Sequence, residues 1–183
     1  MASVFSHALA ATALGVTLNV PSHPRIWLLG MACAIVPDLD VIGFWLGVPY
    51  HHLLGHRGLT HSLVFAAALS PLIVATFFRG QDWIALRYRL LIFFFLATAS
   101  HGLLDALTNG GLGIAFFAPF DNTRYFFPFR PVEVSPLGIT EFFTPRGVAI
   151  LWDEIVWIWI PSLCLAALIQ FARHQLMSMA SRP

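Results

Sequence analysis

Lysine is absent from this chain, and all ten of its basic residues are arginine. Charge of either sign is scarce: 10% of the 183 residues, against about a quarter in an ordinary soluble domain. The net charge is +1 and no basic stripe runs along the sequence, which argues against a nucleic-acid partner. Only two cysteines occur, Cys33 and Cys164, each inside an apolar run. They read as small buried thiols rather than as a disulfide or a thiolate metal site. Internal repeats and low-complexity tails are missing as well. What remains is 58% hydrophobic. That much apolar surface calls for a nonaqueous solvent, so the chain reads as an integral membrane protein, all-α and folded as a single polytopic domain over 1–183.

Hydropathy divides the chain into five membrane helices: Val4–Leu18, Ile26–Leu46, His61–Phe78 with Thr60 as its N-cap, Tyr88–Thr108 closed by Asn109-Gly110-Gly111, and Leu151–Arg173. A full span needs about 20 residues, so the first and third helices are short. The first has no basic residue ahead of its apolar stretch and is read as a retained helix rather than a signal peptide. Pro71 and Pro161 should kink the third and fifth helices. Between Gly111 and Val148 lie five prolines and many phenylalanines. This stretch reads as a long structured loop over one membrane face, with a re-entrant piece at Leu112–Phe117. Loops of that length without secondary structure usually carry function.

The scarce polar residues fall in a pattern on this topology. His7 opens helix one, Asp38 and Asp40 (PDLD) lie toward the end of helix two, and His56 and His61 (HRGLTHS) precede or open helix three. His101 and Asp105 occupy the last turns of helix four, and Asp153 and Glu154 begin helix five. Alternating spans place all of these at one membrane face. Arg25, Arg79, Arg87, Arg89, Arg173 and Arg182 collect at the other face, against Arg57, Arg124, Arg130 and Arg146 on the polar one. The positive-inside rule then puts the polar face outside the cytoplasm.

Ionisable groups inside a membrane are costly and by default functional. His101 and Asp105, four apart, lie on one helical face, where they can share a metal or bridge two. Asp38 and Asp40, two apart, share a face only if the helix end loosens; otherwise one ligates while the other orients a histidine. His56 and His61 are five apart, with Gly58 permitting a turn between them. His51 and His52 read as loop residues, and His23 and His174 fall at the far face. The candidate metal set is therefore His7, Asp38, Asp40, His56, His61, His101 and Asp105. Mixed imidazole and carboxylate donors suit zinc first, then manganese or iron(II), rather than calcium. Seven donors exceed the three or four of a single site, so two or more divalent ions are expected. Such centres activate water and stabilise both oxygens in phosphoester hydrolysis. Asp38, Asp40 or Glu154 would take the water's proton, and Arg57, Arg124 and Arg130 would receive the anionic group of a substrate, a lipid among the classes.

FSHALAATALG, PDLD, HRGLTHS, HGLLDALT and the RYFFPFRPV loop together resemble the YdjM-like family of membrane-bound metal-dependent hydrolases, over about Phe5 to Trp157. That resemblance implies a bacterial-type inner-membrane protein with a metal-assisted hydrolytic activity. The family is distantly similar to zinc-dependent phospholipase C and the S1/P1-type nucleases, helical enzymes with an HxxxD helix and three zinc ions. It implies His101 and Asp105 as ligands, joined by His7, an aspartate of PDLD and a histidine of HRGLTHS, with Glu154 completing the set. This chain departs from the zinc enzymes late in the sequence, where only His174 occurs, at the wrong face for a third ion. Two rival readings use the same cluster: a divalent metal or proton transporter, and a structural membrane protein with a stabilising metal. A transporter requires polar residues across the full membrane depth, which helices two to four lack toward the far face.

Overall fold

The computed structural model describes residues 1–136 and 139–180. Five apolar helical rods form the bundle. The first is α1, Val4–Thr17. The second begins as α2, Pro24–Ile35, tightens into a 3-10 turn over Val36–Val41 and ends as the short α3, Ile42–Trp45. The third is α4, Leu63–Phe77, and the fourth is α5, Arg87–Ala106, entered by a 3-10 turn over Gln81–Leu86. The last joins α6, Pro145–Glu154, through a π-helical segment at Ile155–Trp159 to α7, Ile160–Ala180. Three of these rods, Pro24–Trp45, Gln81–Ala106 and Pro145–Ala180, are long and apolar enough to cross a membrane; α1 and α4 are shorter. The described residues contain no strand, only two isolated bridges, Thr108 with Val132 and Ile114 with Tyr125.

Helix α5 packs against α1, α2 and α4 and forms the axis of the bundle. Its Leu90, Phe93, Phe94 and Ala97 bury against Ile26 and Cys33 of α2, Val74 of α4 and Phe78. Close approach depends on missing side chains. A Cβ on Gly30 would sit 2.4 Å from the Phe93 ring, and one on Gly15 would sit 2.6 Å from Trp27. Small residues play this part in lipid, where helix association rests on van der Waals contact rather than on expulsion of water. Leu163, Leu168 and Phe171 of α7 remain exposed, as a lipid-facing surface requires. Cys33 is buried, Cys164 is exposed, and both thiols are free.

Two expected boundaries move. Thr60 does not cap the third helix: Ser62 does, its Oγ accepting from the Phe65 N–H at 3.0 Å. The fifth rod starts earlier than expected, at Pro145, where Thr144 is the N-cap and its Oγ1 accepts from the Gly147 N–H at 3.2 Å. The distortion before Pro161 takes the form of a π turn, which relieves the clash of the proline ring with the preceding turn. The expected 111–148 loop has little regular structure as far as Pro136, with Ile114, Ala115 and Ala118 buried within it, but it ends sooner than expected, in a 3-10 turn at Ile139–Phe143 and the start of α6 at Pro145; its Leu137 and Gly138 lie outside the described residues. Ser62→Ala should lower stability by about 1 kcal/mol through loss of the cap, read as a fall in melting temperature in detergent.

The far-end arginines have a structural task. Arg25 donates to the Phe77 carbonyl at 3.1 Å, Arg89 to Asn19 at 3.0 Å, Arg79 to Ala75 at 2.6 Å, and Arg173 to Val16 and Thr17. These carbonyls belong to the C-terminal ends of α1 and α4 or, for Asn19, lie just beyond α1, where orphan acceptors and the negative end of the helix dipole both favour a cation. Arg182 lies outside the described residues.

Candidate metal centre

The 3-10 turn at the end of α2 decides how PDLD is used. Asp38 and Asp40 do not share a face. Asp38 points to α5, where its Oδ1 lies 3.3 Å from His101 Nε2, and Asp40 points to the 56–61 segment. His61 stands between the two, with Nε2 3.7 Å from Asp38 Oδ1 and Nδ1 3.2 Å from Asp40 Oδ2.

The 55–61 segment is shaped by glycine. A Cβ on Gly58 would meet the Leu53 carbonyl oxygen at 2.2 Å, and one on Gly55 the Pro49 carbonyl oxygen at 2.3 Å. Backbone atoms cannot give way there, so both positions exclude other residues. Arg57 itself has φ +64°, an uncommon conformation for a non-glycine residue. The turn buries His56, Arg57 and His61 against α5.

Two donor groups result. The inner one comprises Asp38, His61, His101 and Asp105, whose ligand atoms lie within 4.8 Å of one another. The outer one comprises Asp40, His56 and His61. They differ in how far the protein already satisfies them. Asp40 accepts from His56 Nδ1 at 2.7 Å, the Arg57 N–H at 3.1 Å and the Thr60 hydroxyl at 2.6 Å, with His61 Nδ1 close by. Oδ2 takes three of these contacts and Oδ1 takes one, so most of the carboxylate's acceptor sites are engaged by the chain. In the inner group, by contrast, Asp38 Oδ1 and Asp105 Oδ2 are buried without a hydrogen bond.

The two inner imidazoles sharpen this contrast. His101 Nδ1 lies 2.7 Å from the Ala34 carbonyl and must donate to it, which leaves Nε2 as a lone pair. His61 Nδ1 faces Asp40, so its Nε2 is likewise the inward nitrogen. The two Nε2 atoms stand 3.1 Å apart. Two lone pairs at that distance repel unless a proton or a cation lies between them. Burial works to lower the His61 pKa, but Asp38 and Asp40 outweigh it and push the imidazole up to about 9. The residues therefore fit a divalent ion: two imidazoles held by partners behind them, two buried carboxylate oxygens that accept no hydrogen bond, and donors of zinc-site type.

His7, in the first turn of α1, stacks on His101 with ring centroids 3.8 Å apart and places Nε2 3.4 Å from Asp105 Oδ1. Both its ring nitrogens are buried without a hydrogen bond, and its contacts with His101 and Asp105 place it at the border of the inner group. Asp105 also accepts from the Ala2 N–H at 2.7 Å and faces Arg57 Nε at 3.3 Å.

The other expected roles change. Glu154 does not reach the cluster. Its Oε1 accepts from the Ser3 N–H at 2.5 Å, and its Oε2 from the hydroxyls of Ser3 and Ser6. Trp159 Nε1 donates to the same Ser6 oxygen at 2.8 Å. Engaged this way, Glu154 is not a general base; it anchors the start of α1, and through α1 the position of His7. Glu154→Ala should lower stability by about 3 kcal/mol, measurable as a drop in melting temperature, since it leaves buried donors without a charged acceptor. Asp153 takes no part in either group. Arg124 does not reach for an anion either: it donates to the His56 carbonyl at 3.0 Å and the Tyr50 carbonyl at 3.0 Å, stapling loop to turn. Arg130 is exposed and lies over the Phe126 ring at 4.6 Å. Arg57 is buried, with Nη1 on the Gly110 carbonyl at 2.6 Å and Nη2 on Thr108 at 3.0 Å. His52 is exposed and accepts from the Leu54 N–H.

Sequence reasoning missed Thr60, Thr108 and Ala34 as supports of the cluster. Only the Thr60 hydroxyl beside PDLD's partner turn carried any signal; a backbone carbonyl such as that of Ala34 carries none. It also missed the Ser3 and Ser6 contacts to Glu154.

A family model described as YdjM inner membrane protein matches residues 1–177. Inner membrane protein YbcI of Escherichia coli (strain K12) is 35% identical over 178 residues, covering 95% of this chain and 100% of that protein. No solved structure matches.

Proposed function

We propose that this chain, which belongs to the YdjM inner membrane protein family, is a membrane-embedded metal-dependent hydrolase acting on a phosphoester. The observation that carries this reading is the pair of inward Nε2 atoms 3.1 Å apart, flanked by oxygens of Asp38 and Asp105 that accept no hydrogen bond. Asp38, His61, His101 and Asp105 would hold the ion, with His7 beside them. Zinc suits this donor set first. One ion is favoured over two or more, because Asp40 of the outer group is already engaged by the chain.

A divalent ion in this cage supplies Lewis acidity toward water and toward a phosphoryl oxygen. The chain supplies the rest. Asp40 fixes the tautomer of His61, and the Ala34 carbonyl fixes that of His101. Arg57 offsets the charge of Asp105 and, with five N–H groups and three contacts, keeps donors for an anion. Asp38, whose side chain is 11% exposed, is the inner carboxylate nearest solvent and the proton acceptor for the attacking water. Against transport, the far half of the bundle is closed by Leu90, Phe93, Phe94, Val74 and Phe78.

The test is direct. Detergent-purified protein should contain about one equivalent of divalent metal by elemental analysis. It should hydrolyse phosphoesters, lose that activity on chelation and regain it on adding zinc. Metal-replete protein with no phosphoesterase activity across soluble and lipid esters would sink the hydrolase reading, and metal flux into proteoliposomes would favour the transporter.

A further inference from the structure

A cavity of about 460 Å³ opens beside the ion cage, lined by Phe44, Tyr50, His56, Arg57, Val134 and Arg146 among others. Its lining joins two arginines, one buried and one exposed, to apolar side chains. Arg57 is fixed by Gly110, Thr108 and Asp105. A Cβ on Gly111 would come within 2.7 Å of the guanidinium, so this glycine keeps Arg57 in its place. Arg146 is 70% exposed, and both of its contacts are 3.1 Å from one oxygen of Glu133. An exposed pair of that kind is weak and open to competition. Phe44 and Val134 contribute apolar lining, and Phe44 sits at the end of a membrane-crossing rod.

Size separates the possible ligands. At about 30 Å³ per water the cavity has room for roughly fifteen waters, several times what a phosphate group needs. A bare anion would leave the apolar lining unused. We infer that the cavity takes an anionic amphiphile whose phosphate group lies between Arg57 and Arg146, with the first part of its apolar chain against Phe44 and Val134. Arg146 exchanges Glu133 for the phosphate. This inference rests on the hydrolase reading for its biological sense, while the binding it describes stands apart from turnover.

Calorimetry on the full chain in a neutral detergent tests it, with inorganic phosphate and dihexanoyl phosphatidate as probes and metal content measured in parallel. Phosphatidate should bind more tightly than phosphate. Arg146→Gln should weaken phosphatidate by about ten-fold, the size of one charge-assisted contact. Glu133→Gln should tighten it, and Val134→Trp should abolish it, all three at unchanged metal content. Equal phosphatidate affinity in the parent, Arg146→Gln and Val134→Trp overturns the inference. So does phosphate binding as tightly as phosphatidate, which assigns the site to soluble phosphoesters. If the variants behave as expected and no phosphoester is hydrolysed, the binding site stands and the hydrolase reading falls.

Discussion

His101→Ala should yield protein without bound divalent metal, and without any turnover that depends on it. The substitution removes a donor and opens the buried space beside His7 and His61 at the same time. Loss of affinity should exceed the 10–100-fold cost of removing a partner behind a ligand. Asp40→Asn is the calibrating variant. It keeps the shape but weakens the hold on His61 and His56, so its loss should fall within that range. Elemental analysis of the parent and both variants decides; metal content in His101→Ala equal to the parent's would falsify the centre. The pH dependence has a fixed sign. In the metal-free protein His61 carries a proton below about 9, and an ion must displace it. Affinity should therefore fall by about ten-fold for each unit that pH drops below that value, and level off above it.

Arg57→Ala should be the most destabilising side-chain truncation in the 55–62 turn. It removes the buried guanidinium that faces Asp105 and strips donors from Thr108 and Gly110. Leaving one member of a buried ion pair uncompensated costs about 3–5 kcal/mol. The positive φ at this position separates two contributions. Arg57→Gly loses the same charge but relieves a backbone cost of about 1 kcal/mol, so it should melt above Arg57→Ala and below the parent. Added divalent metal should recover part of the loss in both, because it returns a positive charge to Asp105. Thermal unfolding in detergent, with and without metal, checks the order; an Arg57→Ala protein that melts with the parent contradicts it.

The bundle was legible because its signals are summed over many residues. Five apolar stretches and the alternation of their ends place His7, Asp38, His61, His101 and Asp105 together, and the distances among them agree. The division of labour within the cluster was not legible. Nothing in PDLD says that the helix ends in a 3-10 turn, which sends Asp38 to α5 and Asp40 to Thr60. Thr60 and Ser62 are equivalent as capping residues in sequence, and only the position of Asp40 draws Thr60 away. Glu154 looks like a further ligand because its partners, Ser3 and Ser6, are small hydroxyls some 150 residues distant. Arg124 looks like an anion receptor because free carbonyls of a turn leave no trace in composition.

The π-helical segment at Ile155–Trp159 has a geometric consequence for the centre. On a regular α-helix, residues five apart point roughly 140° away from each other. A π turn, with its i→i+5 hydrogen bond, winds more slowly and swings them toward the same side. Glu154 and Trp159 are five apart and meet the same Ser6 hydroxyl, one accepting its proton and the other donating to its oxygen. The extra residue thus works as a spacer that brings an acceptor and a donor into register on one small side chain. Deleting one residue between them would turn the remainder of the rod by about 100° and release the start of α1. The fourth residue beyond Ser3 is His7, so the seating of a histidine beside the ion cage depends on the winding of a helix that contributes no ligand to it.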